Sequence, residues 1–144
     1  MIKPVISIQA EINGFQLNFD LYDKIVFISG DSGIGKSYLY EQLSLLSTEK
    51  EFSYVKCFNY LSPDLEKQVR NISENADNLI VIDNFETLWS QNLAAVIMTS
   101  PAKFMLISRD YFGLMETKHG VAELNVNDNS IRLIYPLAGG ADND

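Results

Sequence analysis

Cysteine occurs once in the 144 residues, at Cys57. One thiol allows no internal disulfide and no cysteine-rich zinc site. Histidine is equally scarce, and a lone His119 cannot build a histidine-rich metal cluster or a charge relay. Positive charge is also short. Eleven Lys and Arg stand against 19 Asp and Glu, a formal net charge of −8. That balance argues against a surface that coats nucleic acid or anionic membrane by charge alone, although a local basic patch stays open. No apolar run approaches the roughly 20 residues that a membrane helix needs. The N-terminus lacks the layout of a signal peptide, and there is no internal repeat or low-complexity block. These absences leave a soluble, acidic protein of a reducing compartment. The expectation is a cytoplasmic location, no membrane partner and no strong nucleic-acid binding by the monomer.

What is present suits a single globular domain. The chain is 47% apolar and 11% aromatic, enough to bury a core. One domain is expected over residues 1–137, with residues 138–144 (AGGADND) as a flexible tail. Strict alternation opens the chain: Ile6, Ile8, Ala10 and Ile12 on one face, Ser7, Gln9 and Glu11 on the other. Asn13-Gly14 follows, and Phe15, Leu17, Phe19 and Leu21 alternate again. Asn-Gly between two period-2 runs predicts a hairpin, because both residues tolerate positive φ.

The pattern then changes to short continuous apolar runs, Ile25–Ile28, Leu79–Ile82 and Phe104–Ile107, which suit strands covered on both faces. A weaker strand is expected over Tyr54–Phe58. Three helical stripes lie among them: Leu39, Leu43, Leu46; Leu65, Val69, Ile72, behind Ser62-Pro63 as cap and first turn; and Trp89, Leu93, Val96, Ile97. Trp89 is expected in the core. Alternating strands and helices predict a parallel sheet with right-handed crossovers. A second hairpin is expected from Val121 to Tyr135.

Directly after the first buried run stands Gly30-Asp31-Ser32-Gly33-Ile34-Gly35-Lys36-Ser37, which fits G-x-x-x-x-G-K-[ST] at each fixed position. Glycines let backbone N–H groups converge on an anion at a helix N-terminus. Lys36 would reach the β- and γ-phosphates, and the Ser37 hydroxyl would help hold Mg²⁺. The bland alternative is a glycine-rich strand-to-helix turn that happens to carry Lys-Ser.

On these residues the chain resembles the P-loop NTPase superfamily, with Gly30–Ser37 as its Walker A segment. Leu79-Ile80-Val81-Ile82-Asp83 looks like Walker B, which implies that Asp83 orients the metal; a helix N-cap or a solvated loop carboxylate is the competing role. The guanine-reading N-K-x-D is missing, so ATP is the expected nucleotide. In AAA-type and ABC-type relatives a glutamate follows the Walker B Asp, whereas here Asn84 does. Glu86 then becomes the candidate for positioning the attacking water, against an exposed first-turn acid. Ser108 stands where such ATPases place a γ-phosphate sensor, and Arg109 could add charge beside it; an ordinary solvated strand end competes. The Ser-Gly signature of ABC-type heads and the helical lid of AAA proteins are both missing, so the branch is unresolved. Tyr38, Tyr40 and Tyr54 could stack on a base, although packing is the commoner role. Cys57 reads as a small buried hydrophobe and His119 as a helix-end residue.

The resemblance implies a three-layer α/β domain with a mostly parallel sheet and antiparallel hairpins added at both ends. Function is expected to be ATP binding with weak Mg²⁺-dependent hydrolysis. The alternative is a nucleotide-dependent interaction module, with a protein partner or a second copy. A small-molecule kinase ranks last, since only Arg70, Arg109 and Arg132 are available and no arginine-rich insertion is present.

Overall fold

The structure is a computed structural model that describes residues 3–29, 35–108, 120–127 and 129–135. The hairpin forms as the alternation predicts. Strand β1 (Ile6–Ile12) pairs antiparallel with β2 (Phe15–Leu21), and Asn13 and Gly14 turn at φ 53° and 81°. Strand β3 (Ile25–Ser29) leads to helix α1 (Lys36–Leu46). A single 3-10 turn (Lys50–Phe52) precedes β4 (Val55–Phe58), and α2 (Leu65–Ile72) precedes β5 (Leu79–Ile82). Two short helices, α3 (Phe85–Leu88) and α4 (Gln91–Thr99), lead to β6 (Lys103–Ile107). Strands β7 (Val121–Asn127) and β8 (Ser130–Ile134) form the second hairpin.

All eight strands join one sheet in the order β1-β2-β8-β7-β3-β6-β5-β4. Strands β4, β5, β6, β3 and β7 run parallel to one another, β7 and β8 are antiparallel, and β2 meets β8 parallel at Gln16–Ser130 and Leu17–Ile131. The sheet is therefore mixed, and it curls into a half-barrel. This corrects the expected three-layer, mostly parallel domain with a hairpin at each end. Both hairpins lie side by side on one half of the sheet, because β7 takes the free edge of β3 and β8 then receives β2. Alternation says that one face of a hairpin is covered; it does not say which edge the hairpin joins.

The curl also changes what covers the sheet. On one face Ile25, Phe27, Ile80, Ile82, Phe104 and Leu106 pack with Val69 of α2, Phe85 of α3 and Leu93, Val96 and Ile97 of α4. On the other face Val26, Ile28, Leu79, Val81, Met105 and Ile107 meet, among the described residues, one helix, through Leu39, Leu43 and Leu46 of α1. The rest of that cluster comes from the sheet itself: Ile8, Leu17, Phe19, Leu21, Val55, Ala122, Leu124 and Ile131. Strand twist accumulates over eight strands, so the hairpin half wraps onto α1 where a helical layer was expected.

Two local expectations are corrected as well. Helix α2 starts at Leu65 behind Asp64, which sits at φ 48°. Ser62 is not its cap; its Oγ accepts the Asn59 N–H (3.0 Å) and closes a tight turn. Trp89 precedes α4 and is 38% exposed, with its ring edge-on to Phe85 at 5.9 Å. Ser90 caps α4 instead, accepting the Leu93 N–H at 3.0 Å. His119 and residues 138–144 lie outside the described residues.

Candidate functional site

The carboxyl ends of the parallel strands carry most of the residues that the sequence singled out. Pairing of Ile28 with Ile107, and of Leu106 with Ile82, brings the ends of β3, β6 and β5 side by side. Strand β6 stands between the other two, so the carboxylate-bearing strand is not the immediate neighbour of β3. Ser108, 2% exposed, donates its N–H to the Ile28 carbonyl (3.1 Å) and lies beside the point where the glycine-rich loop leaves β3. Asp83 is anchored on the other side, its N–H donating to the Phe58 carbonyl at 2.9 Å. Ligands of open sheets with parallel strands commonly bind at such carboxyl ends.

Gly30, Asp31, Ser32, Gly33 and Ile34 lie outside the described residues, as does Arg109. The end of the motif is described. Gly35 precedes α1 at φ 100°, and its carbonyl accepts the Leu39 N–H at 2.8 Å. A Cβ at Gly35 would stand 2.7 Å from Val126 Cγ2, so this glycine is required by backbone angle and by close approach to β7. Lys36 and Ser37 form the first turn of α1, Lys36 half-buried and Ser37 exposed.

Electrostatics tie this turn to the end of β5. Burial pushes the Asp83 carboxyl above its ordinary range. The Asn84 N–H, donated to Oδ1 at 2.9 Å, pulls it back down; Glu86 pushes it up again; and Lys36 pulls it down. Lys36, Asp83 and Glu86 thus share one electrostatic neighbourhood although 47 positions separate Lys36 from Asp83 in sequence. Glu86 is half-buried, and its Oε1 is buried with no hydrogen-bond partner among the described residues. That is an unusual state for a carboxylate oxygen, because an orphaned buried acceptor is costly. Asn84 occupies the position preceding α3 at φ 52°, so the role of cap that competed for Asp83 belongs to its neighbour.

One residue reaches this neighbourhood in a role that the sequence reading did not assign. Tyr40, one turn after Lys36, is pushed up to about 12 by burial and by the fields of Cys57 and Asp83. Ser44 pulls both the Tyr40 hydroxyl and the Cys57 thiol back down, and burial raises that thiol to about 11. The i, i+4 spacing from Lys36 was the available signal. Tyr38 instead packs edge-on against Phe15 at 4.8 Å, and Tyr54 lies near Phe52 at 6.2 Å.

A divalent cation would find oxygens here but no ready-made cage. Among the described residues, no group of three or more His, Cys, Asp or Glu side chains is placed to hold a metal ion. Mg²⁺ characteristically takes one or two protein oxygens and completes its shell with phosphate and water. Ser37 and Asp83 fit that donor set, and the orphaned Glu86 oxygen marks a place where positive charge or a donor is wanted. Among the described residues no helix is long and apolar enough to cross a membrane. In comparison with known proteins, the chain matches no family model and no curated protein.

Proposed function

We propose that the protein binds a nucleoside triphosphate, with ATP preferred, through the loop Gly30–Ser37, and hydrolyses it slowly with Mg²⁺. The observation that carries this reading is the complete Gly30–Ser37 pattern leading into α1, with Lys36 and Glu86 both acting on the charge of Asp83. It rests on the motif and this cluster, not on the three-layer architecture. Backbone N–H groups of the loop and the Lys36 ammonium would neutralise the phosphates. Ser37 and Asp83 would hold the metal, which neutralises charge on the phosphate oxygens. Ser108 would contact the terminal phosphate from the neighbouring strand end, with Arg109 adding charge. Glu86 is the group proposed to position water. Asn84, beside Asp83, cannot take a proton at neutral pH. Gly30–Ser37 and Asp83 would then act as the Walker A and Walker B segments of a P-loop NTPase.

A second reading is a module in which nucleotide binding orders a surface for a protein partner and hydrolysis is negligible; it draws on Asn84 occupying the place of the usual glutamate. A cytoplasmic, reducing setting suits the single half-buried Cys57. Calorimetry with ATP and Mg²⁺ tests the central claim. Wild type should bind, Lys36→Ala should lose most of the affinity, and chelation of Mg²⁺ should weaken what remains. Absence of ATP or GTP binding by the wild type would refute it.

A further inference from the structure

Strand β1 ends the sheet, and among the described residues nothing pairs with its outer edge. The two-residue turn at Asn13-Gly14 makes Ile12 and Phe15 a hydrogen-bonded pair, so bonded pairs recur at Ala10–Leu17, Ile8–Phe19 and Ile6–Leu21. The Gln16 N–H accordingly points away from β1 and donates to the Asn129 carbonyl at 2.7 Å. By the same alternation Ser7, Gln9 and Glu11 turn their N–H and C=O groups outward. The register runs without a bulge over all seven residues, and Glu11 is the single charge on the strand. Native edges are normally blunted by bulges, prolines or lysines. Over Ile6–Ile12 this edge has none of them; Lys3 and Pro4 stand just before it, and the Val5 N–H also reaches the Leu21 carbonyl at 2.7 Å.

A cavity of about 240 Å³ lies along the same edge, between β1 and the end of α1 with the 3-10 turn behind it. Leu46, Phe52 and Ile12 give it apolar walls, and Glu49 and Glu51 supply acids at its rim, while Glu11 borders it from the opposite face of β1; among the described residues no basic side chain lines it. One turn before Leu46 on α1, Gln42 is 3% exposed and its Oε1 has no partner among the described residues. Open backbone donors and acceptors supply affinity for an extended chain, and adjacent side-chain pockets supply selectivity. The acids choose the sign of the occupant. A second copy paired edge to edge would bring two sets of glutamates towards each other in a protein already at −8.

We propose that β1 captures an extended basic segment of a partner protein by strand addition, with alternate side chains of that segment entering the acidic groove beside Leu46 and Phe52. This surface is separate from the nucleotide reading and does not depend on it.

The probe is a labelled acetyl-Lys-Val-Lys-Val-Lys-Val-Lys-amide, followed by fluorescence anisotropy at physiological salt, with amide hydrogen exchange on the protein. It should bind, and the Ser7, Gln9 and Glu11 amides should exchange more slowly in its presence. Replacing every Lys by Glu in the probe, or N-methylating its edge-facing amides, should each weaken binding by about tenfold or more, the loss of about one good interaction. Gln9→Pro removes an outward N–H, a substitution that edge strands tolerate, and should abolish binding while thermal unfolding is retained. Should Gln9→Pro disturb the strand, the exposed pair Glu49→Lys and Glu51→Lys should weaken binding in a folded protein. Equal binding of the N-methylated probe would overturn the proposal, since charge alone would then suffice. So would failure of the basic probe to bind, or a wild-type dimer in sedimentation that Gln9→Pro converts to monomer.

Discussion

Gly35 sits where two demands meet, and replacing it by alanine separates them. Its φ of 100° is one that side chains with a Cβ rarely adopt, and forcing alanine into left-handed backbone costs about 1–2 kcal/mol. The added methyl would also stand 2.7 Å from Val126 Cγ2 and 3.4 Å from Leu124 Cδ2. Valine is short and stiff at χ1, so relief requires movement of β7, and overpacking of this kind costs about 1–3 kcal/mol. Gly35→Ala should therefore lose roughly 2–5 kcal/mol of unfolding free energy in urea titration, with an unchanged dependence on denaturant. Val126 is 40% exposed, so Val126→Ala alone should cost about 1 kcal/mol or less. In the double variant the contact is gone but the backbone strain remains. Stability should recover by about 1–2 kcal/mol relative to additivity, and no further. A Gly35→Ala loss below about 1 kcal/mol would refute both terms. Full additivity with Val126→Ala would refute the close approach to β7 and leave only the backbone term.

Asp83→Asn should raise the thermal unfolding temperature at pH 7 while removing the benefit of Mg²⁺ to nucleotide binding. Burial raises the folded-state pKa of Asp83, so its contribution favours the fold at low pH and is lost as pH rises through that raised value. The gap between variant and wild type should then close as pH falls below the ordinary aspartate value of about 3.9, and a gap independent of pH would contradict this. For turnover, Glu86→Gln should abolish phosphate release and leave ATP affinity intact if Glu86 positions the water. Asn84→Glu should instead raise release by about tenfold or more if Glu86 does not reach it. Fast release that survives Glu86→Gln would put the water-positioning group elsewhere.

Local structure was legible wherever side-chain period and turn chemistry were decided within a few residues. Ile6 to Leu21 carries period-2 alternation around Asn13-Gly14, and nothing distant is needed to fix that hairpin. The apolar runs at Ile25, Leu79 and Phe104 are strands because both of their faces are buried. The sheet order was not legible. Which edge receives β7, and that β8 then meets β2 parallel through only Gln16 and Leu17, depends on strands more than 100 positions apart. The helix starts were misread for a related reason. Ser62-Pro63 has the chemistry of a helix start, yet Asn59 and Ser62 hydrogen-bond each other first, and the chain turns once more before Leu65.

At the candidate site, sequence spacing singles out a glycine-rich loop ending in Lys36-Ser37 and a strand-end carboxylate, but not the charges surrounding that carboxylate. A glutamate placed directly after a strand-end aspartate, as in AAA-type and ABC-type ATPases, is positioned by the strand itself. Here Asn84 takes that place in a left-handed conformation, and the chain reverses into α3 before the next acid appears. That reversal returns Glu86 to Asp83, where like charge raises the Asp83 pKa and where one Glu86 oxygen is buried with no partner among the described residues. Two carboxylates and one ammonium in partly dry surroundings leave an excess of negative charge. Such a cluster is destabilising by itself and becomes favourable when a cation enters. On the proposed reading, the same cost that makes Asp83 resist ionisation in the free protein would strengthen coupling between metal and nucleotide.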